Sequence, residues 1–245
     1  MGTHPNESTE YYMPPQIEEL FRIQFSQEDI EALREALSNI RNRIEIKLFI
    51  ARSGCLPCNE TLKFLQLVVE NSPIIGGKRA VDLKVYSKEE HNDLFVKYNI
   101  ERVPTLLLLD GNITYLGMPA GEEMKAFVET LIRISSGDHG LSETTVKALS
   151  TLEGAADIEV IVTPLCNLCP FAVLLVNMFA YVSKVFGRGN VRAIIVEAFE
   201  NPDIADKYFV TSVPTIVING RVVFIGIPYE YQLLDAVKKL ALLRI

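Results

Sequence analysis

KYNIERVPT at Lys97–Thr105 and KYFVTSVPT at Lys207–Thr215 are one phrase written twice, 110 positions apart, each opening on Lys-Tyr and closing on Val-Pro-Thr. Other landmarks keep step with it on both sides. Cys55-x-x-Cys58 and Cys166-x-x-Cys169 precede the two copies at a spacing of 111. Gly111 and Gly220 follow them at 109, as do Gly117-Met118-Pro119 and Gly226-Ile227-Pro228. A drift of two residues is what small loop deletions produce, because loops tolerate length change better than the elements they join. Self-similarity at a fixed period signals a duplicated structural unit.

A chain of 245 residues can hold one or two domains, and the repeat decides for two. Hydrophobic residues make up 49% and charged residues 22%, the balance of a packed globular protein. The formal net charge of −7 is spread through the chain and gives none of the basic footprint that nucleic acid requires. Met1 to Pro15 is polar and lacks the apolar core of a secretory signal. The most apolar run, Pro170 to Phe186, is interrupted by Asn177, Ser183 and Lys184 and falls short of the ~20 residues of a membrane span. The expectation is a soluble, cytoplasmic chain with no nucleic-acid or membrane partner. The absence of Trp, with few Gln among many Ile, Glu and Arg, leans toward a thermophile.

Hydrophobic periodicity predicts a helix over Gln27–Arg41, a buried strand at Ile44–Ile50, and a helix from Cys55 to Glu70. A strand at Val81–Tyr86 and a helix over Glu89–Tyr98 follow, then strands Thr105–Leu109 and Ile113–Leu116 around an Asp110-Gly111 turn, and a helix over Glu122–Ile134. Ser135–Gly140 reads as a linker by its turn-forming residues. The second half repeats the order: helices near Glu143–Leu152, Asn167–Val185 and Pro202–Tyr208, strands at Ile158–Val162 and Val191–Val196, a hairpin at Asn219-Gly220 and a last helix to Leu243. The fold class is α/β, two tandem units of mixed sheet flanked by helices. The expected divisions are a polar extension 1–22, a first unit 23–138 and a second 139–245.

All four cysteines fall in the two pairs. Thiol–disulfide exchange needs a thiolate to attack and a second thiol one helical turn away to resolve the mixed intermediate, and a three-residue step supplies both. At a helix N-terminus, unpaired N–H groups and the positive end of the dipole lower the pKa of the first thiol. Cys55 and Cys166 are therefore the candidate nucleophiles, with Cys58 and Cys169 as resolving partners. Pro57 and Pro170 both suit the start of a helix. Arg52 precedes the first pair with no basic counterpart at the second, so Cys55 is expected to be the more acidic thiol.

Blander readings stand beside this one. Two C-x-x-C pairs can close a zinc site, but the 108-residue gap between Cys58 and Cys166 and their matched places in the repeat argue against a shared metal. An isolated X-Pro bond is trans by default, and the duplication reverses that preference for both Val-Pro-Thr segments. His4, His91 and His139 fall in polar stretches and read as solvated. A peptide-binding scaffold with idle cysteines remains the alternative function, as does an electron carrier to a peroxidase.

Taken together, the C-x-x-C after a strand, the Lys-Tyr-x-x-x-x-Val-Pro-Thr segment and the Asp/Asn-Gly turn before a last helix resemble thioredoxin. The doubled form is similar to the glutaredoxin-like protein disulfide oxidoreductases of thermophilic archaea and bacteria. The resemblance covers Gln27 to the C-terminus. It implies cis bonds at Val103-Pro104 and Val213-Pro214, with exposed backbone there to pair with a client strand. It implies reduction, oxidation or isomerisation of protein disulfides, a flavin-dependent thioredoxin reductase as electron donor, and no bound cofactor. The chain departs from thioredoxin in its inner dipeptides, Leu56-Pro57 and Asn167-Leu168. It also holds Phe49 and Val160 where thioredoxins carry a buried acid, so a proton for the buried thiol must come from another source.

Overall fold

The computed structural model describes residues 14–242. In chain order the first half comprises α1 (Pro15–Glu18), α2 (Gln27–Leu37), β1 (Ile44–Ile50), α3 (Leu56–Asn71), a small hairpin β2 (Ile74–Ile75) and β3 (Lys78–Arg79), β4 (Val81–Ser87), α4 (Asn92–Lys97), β5 (Thr105–Leu108), β6 (Ile113–Leu116) and α5 (Glu123–Ser136). The second half comprises α6 (Glu143–Ser150), β7 (Ala156–Val162), α7 (Cys169–Phe186), β8 (Val191–Glu197), α8 (Pro202–Lys207), β9 (Thr215–Ile218), β10 (Arg221–Ile225) and α9 (Glu230–Ala241). Without α1 and the β2–β3 hairpin, the two halves have the same order of elements, as the repeat requires.

Each half contributes four strands, and the halves zip into one sheet of order β10-β9-β7-β8-β6-β5-β1-β4. The joint is β6 against β8, parallel, with Ile113 opposite Ala193 and Leu116 opposite Val196. One face is covered by α2, α3, α5, α6, α7 and α9, whose apolar sides merge into a core running through both halves. The other carries only the short helices α4 and α8; Phe95 of α4 packs onto Phe49 and Leu107 in the first half, and α8 lies over Ile161, Val196 and Val217 in the second.

Local signals explain most boundaries. A reciprocal capping box between Ser26 and Asp29 starts α2, and Gly137 in the left-handed conformation ends α5, so the linker begins two residues later than expected. The Asn219-Gly220 turn holds both residues at positive φ, while the first hairpin uses three, Leu109, Asp110 and Gly111. That extra residue accounts for the drop from 110 to 109 in the repeat spacing.

Two expectations shift. The polar extension lies outside the described residues up to residue 13, but from Pro15 it turns helical and buries Phe21 completely against Met118 and Ala120. Helix α7, read as too interrupted for a membrane span, is one helix among the described residues long and apolar enough to cross one. Most of it is buried, and its apolar surface is consumed by α5, α6, β7 and β8 at the joint between halves.

Candidate functional site

Cys55 is the N-cap of α3, and its Sγ accepts the N–H of Cys58 at 3.1 Å, as a capping hydroxyl does at other helix starts. Cys166 Sγ accepts the N–H of Cys169 at the same distance. Each pair is closed as a disulfide, with Cα atoms 5.3 and 5.4 Å apart. Cys58 and Cys169 are fully buried, whereas Cys55 and Cys166 are half-exposed. The second helix differs from expectation in starting at Cys169, not Asn167. Pro57 sits inside the first pair and lets α3 begin there; Pro170 follows the second pair and starts α7 a turn later. A separate turn, closed by the Cys169 N–H on the Cys166 carbonyl at 3.3 Å, holds the second pair.

Val103-Pro104 and Val213-Pro214 are both cis. The repeated landmarks around them have matching jobs. The hydroxyls of Thr105 and Thr215 donate to the carbonyls of Arg102 and Ser212 at 2.7 and 2.6 Å, bracketing each cis bond. The N–H groups of Gly117 and Gly226 donate to the Pro104 and Pro214 carbonyls at 2.9 and 2.7 Å. Both glycines lie at φ near +100°, where a side chain is disfavoured. Strand register sets each cis segment beside its cysteines. Thr105 pairs with Phe49 and Thr215 with Ile161, so each proline lies at the end of the strand that leads into its C-x-x-C.

Strands β1 and β7 run in the same direction, so both cysteine pairs emerge on one rim of the sheet. Four strand steps separate them, roughly 19 Å at ~4.8 Å per step. The four sulfurs therefore do not converge on one tetrahedral point. Among the described residues no cluster of three or more His, Cys, Asp and Glu is arranged to hold a metal.

The charges around the pairs are unequal. Arg52 forms an ion pair with Glu90, and its N–H is taken by Glu89 at 3.1 Å, so much of its charge is balanced away from Cys55. At the second pair the structure brings in a residue the sequence reading missed. Helix α5 lies between α3 and α7, with Phe127 packed on Phe64 at 5.7 Å between ring centroids and Thr130 bonded to Asn177 at 3.0 Å. Both α5 and α7 start at the rim, so Glu123 and Cys169, the first residues of α5 and α7 and about two turns back from Thr130 and Asn177, open neighbouring helices on the rim of the second pair. The N–H of the neighbouring Glu122 bonds the Pro164 carbonyl at 3.0 Å. Glu123 is buried, neither of its carboxylate oxygens has a hydrogen-bond partner, and burial together with the charge of Glu122 pushes its pKa up to about 8. A signal was present: Glu123, Ala126, Phe127, Thr130 and Leu131 form one stripe at helical spacing, and a carboxylate on an apolar stripe is an anomaly.

Two more acids line the joint. Glu197 ends β8 opposite Val162, and its carboxylate accepts the Glu200 N–H at 2.6 Å; Glu200 accepts the Met118 N–H at 2.6 Å. Burial raises Glu197 to about 7, and burial with the Glu197 charge raises Glu200 to about 8. The position equivalent to Glu197 in the first half is Ser87, so the first pair has no such neighbour there.

A family profile for the thioredoxin domain matches residues 44–129 and again 156–238. The chain is 39% identical over 82 residues to a thioredoxin of Methanocaldococcus jannaschii, covering 34% of this chain and 92% of that one. The crystal structure of a protein disulfide oxidoreductase from Aeropyrum pernix superposes with a TM-score of 0.89 at 44% identity, over 93% of this chain and 98% of that one. The N-terminal domain of an alkylhydroperoxide reductase from Enterococcus faecalis shares the doubled fold, with a TM-score of 0.74 at 21% identity over 87% of this chain and 99% of that one.

Proposed function

Because the chain belongs to the thioredoxin domain family, carries that domain twice and is a thiol–disulfide oxidoreductase, we propose that Cys55 and Cys166 are its two attacking thiols and protein disulfides its substrates. The observation that carries this reading is the shared geometry of the pairs. In each, a half-exposed first sulfur takes an N–H at 3.1 Å while the second sulfur is sealed from solvent. The same N–H that caps a sulfur in the disulfide stabilises its negative charge when the pair is reduced, which is the condition for attack.

In reduction, the first thiolate attacks one sulfur of the client disulfide and the other client sulfur leaves as a thiolate. The second cysteine then gives up its proton and attacks the mixed disulfide. The client gains two electrons and two protons, and the pair is left oxidised. At the second site we assign the ionised carboxylate of Glu123, made more basic by the burial that raises its pKa to about 8, to take that proton and become the neutral acid. The cis segments Val103-Pro104 and Val213-Pro214 would hold the client backbone as an added strand. We divide the chain into units 23–138 and 139–245, which agrees with the end of α5 at Gly137, and name a flavin-dependent thioredoxin reductase as electron donor. All four cysteines lie in exchange pairs, with none left for a structural bridge, which suits a reducing cytoplasm.

Insulin reduction by chains retaining one pair tests the assignment. Each single-pair chain should turn over, and Cys58→Ser or Cys169→Ser should trap a client as a mixed disulfide on the remaining first cysteine. Undiminished reduction by the chain with all four cysteines replaced would exclude it.

A further inference from the structure

The two pairs share their backbone geometry but not their surroundings. Leu165, Leu168 and Phe171, all within five residues of Cys166, are 69%, 54% and 63% exposed. The equivalent positions beside Cys55 are Gly54, Pro57 and Glu60. Of these Glu60 turns inward, accepting the Ile23 N–H at 3.0 Å. The other wall differs in the same sense. Ile227 follows the glycine that bonds the Pro214 carbonyl and is 41% exposed; its counterpart Met118 is buried beneath Phe21. Leu165, Leu168 and Phe171 thus flank the second pair and Ile227 follows its cis-proline segment, all exposed, whereas of the equivalent positions at the first pair only Pro57 offers an apolar side chain, and it is half-exposed.

We propose that the second pair is the site for extended, apolar client segments, of the kind an unfolded chain exposes, and that Leu165, Leu168, Phe171 and Ile227 determine this preference. The inference rests on the exchange reading above, and that chemistry supplies the occupant. During turnover the client is covalently joined to Cys166 Sγ, so its residues flanking the cysteine must lie on the side chains that surround that sulfur. Apolar flanks then remove exposed apolar area from water on both partners, while polar flanks lose their own hydration without return. At Cys55 the same attachment meets exposed Ser53, Gly54 and Asn59 with only the half-exposed Leu56 and Pro57 as apolar surface, so an apolar flank gains much less there.

The test uses the full-length chain in two forms, Cys55→Ser/Cys58→Ser and Cys166→Ser/Cys169→Ser. Each form is reduced and mixed with two sets of disulfide peptides whose cysteines are flanked by Leu and Phe or by Ser and Gln. The readout is the ratio of second-order rate constants, apolar over polar, which cancels differences in intrinsic thiol reactivity. The form retaining the second pair should show a ratio of roughly ten or more, and the other form a ratio within about twofold of one. Adding Leu165→Ser, Leu168→Ser and Phe171→Ser, all at exposed positions, should bring the first ratio close to the second. Equal ratios in the two forms, or a ratio unmoved by the three serines, would overturn the preference while leaving disulfide exchange intact. Inactivity of both forms toward both peptide sets would overturn the exchange reading and the preference with it.

Discussion

Arg102 grips Asp203 across the joint between halves, Nη1 to Oδ1 at 2.8 Å and Nη2 to Oδ2 at 2.5 Å. Arg102 immediately precedes the first cis bond and Asp203 lies in the first turn of α8, so the pair fastens one cis-proline segment to the other half. The equivalent of Arg102 in the second half is Ser212, which makes this a one-sided device. Both partners are more than a third exposed, and water screens the pair to about 0.5–1 kcal/mol. Asn201 beside them is buried and donates to the Leu116 and Glu197 carbonyls at 3.1 and 2.9 Å. Stranding those acceptors costs about 1–3 kcal/mol. Urea titration should therefore find Asn201→Ala more damaging than Arg102→Ala, and the reverse order would mean the surface pair, not the buried amide, holds the joint.

Replacing Glu123 should be felt at one pair only. In the form retaining Cys166 and Cys169, Glu123→Gln removes the carboxylate assigned above to the Cys169 proton, and loss of general-base assistance should slow resolution by roughly 10²-fold or more. The pH–rate profile of that form should also lose its inflection near 8, the pKa to which burial and Glu122 push Glu123. A purely structural role would leave the profile's shape intact. Stopped-flow measurement of mixed-disulfide decay across pH 6 to 9 distinguishes these outcomes.

Much of this site could be read from the bare chain because its parts are local. C-x-x-C, Val-Pro-Thr and the Gly-x-Pro that follows each recur within a few residues of one another, and each proved to be a hydrogen-bonded element of the same rim. What escaped was long-range or lay in small elements. Periodicity states that β6 and β8 are strands but not that their edges meet, since a parallel joint depends on the partner's edge rather than on either sequence. Strands β2 and β3, two residues each around Gly76-Gly77, are too short for any period to register. Phe21 looked like part of a polar extension because its partners Met118 and Ala120 are about a hundred residues away. Glu123 was visible only as a charge in the wrong place on an apolar stripe.

A second ground points to the same expected ranking of Cys55 and Cys166. Arg52 is balanced by Glu90, but Cys55 caps a helix of 16 residues directly, whereas Cys166 stands three residues before its helix begins. A charge interacts with a helix dipole chiefly within the terminal turn, by about 0.3–1 kcal/mol, which is roughly half a pH unit. Glu123 at the start of α5 and Glu197 at the end of β8 also stand on the rim where the second pair emerges, and their ionised forms would oppose a thiolate there. Thiolate absorbance of the two single-pair forms should therefore place Cys55 below Cys166, and a reversed order would show that the helix start does not set their acidity.

The buried acids at the joint also make stability depend on pH in a stated direction. Glu123, Glu197 and Glu200 ionise near 4.5 when unconstrained, and burial in the fold raises them to about 8, 7 and 8. A carboxyl with a raised pKa binds its proton more tightly folded than unfolded. Its contribution is complete below about 4.5 and is lost as pH rises through 7 to 8, so the unfolded state gains between those limits. Thermal unfolding should accordingly show Tm falling from pH 5 to pH 8. Glu197→Gln keeps the shape and removes the charge, so it should flatten that slope and raise Tm at pH 8 while changing little at pH 5. Each kilocalorie recovered is worth roughly 2–4 °C in a chain of this size. A Tm that rises over the same interval, in the parent and the variant alike, would place the titrating groups elsewhere than at the joint between β6 and β8.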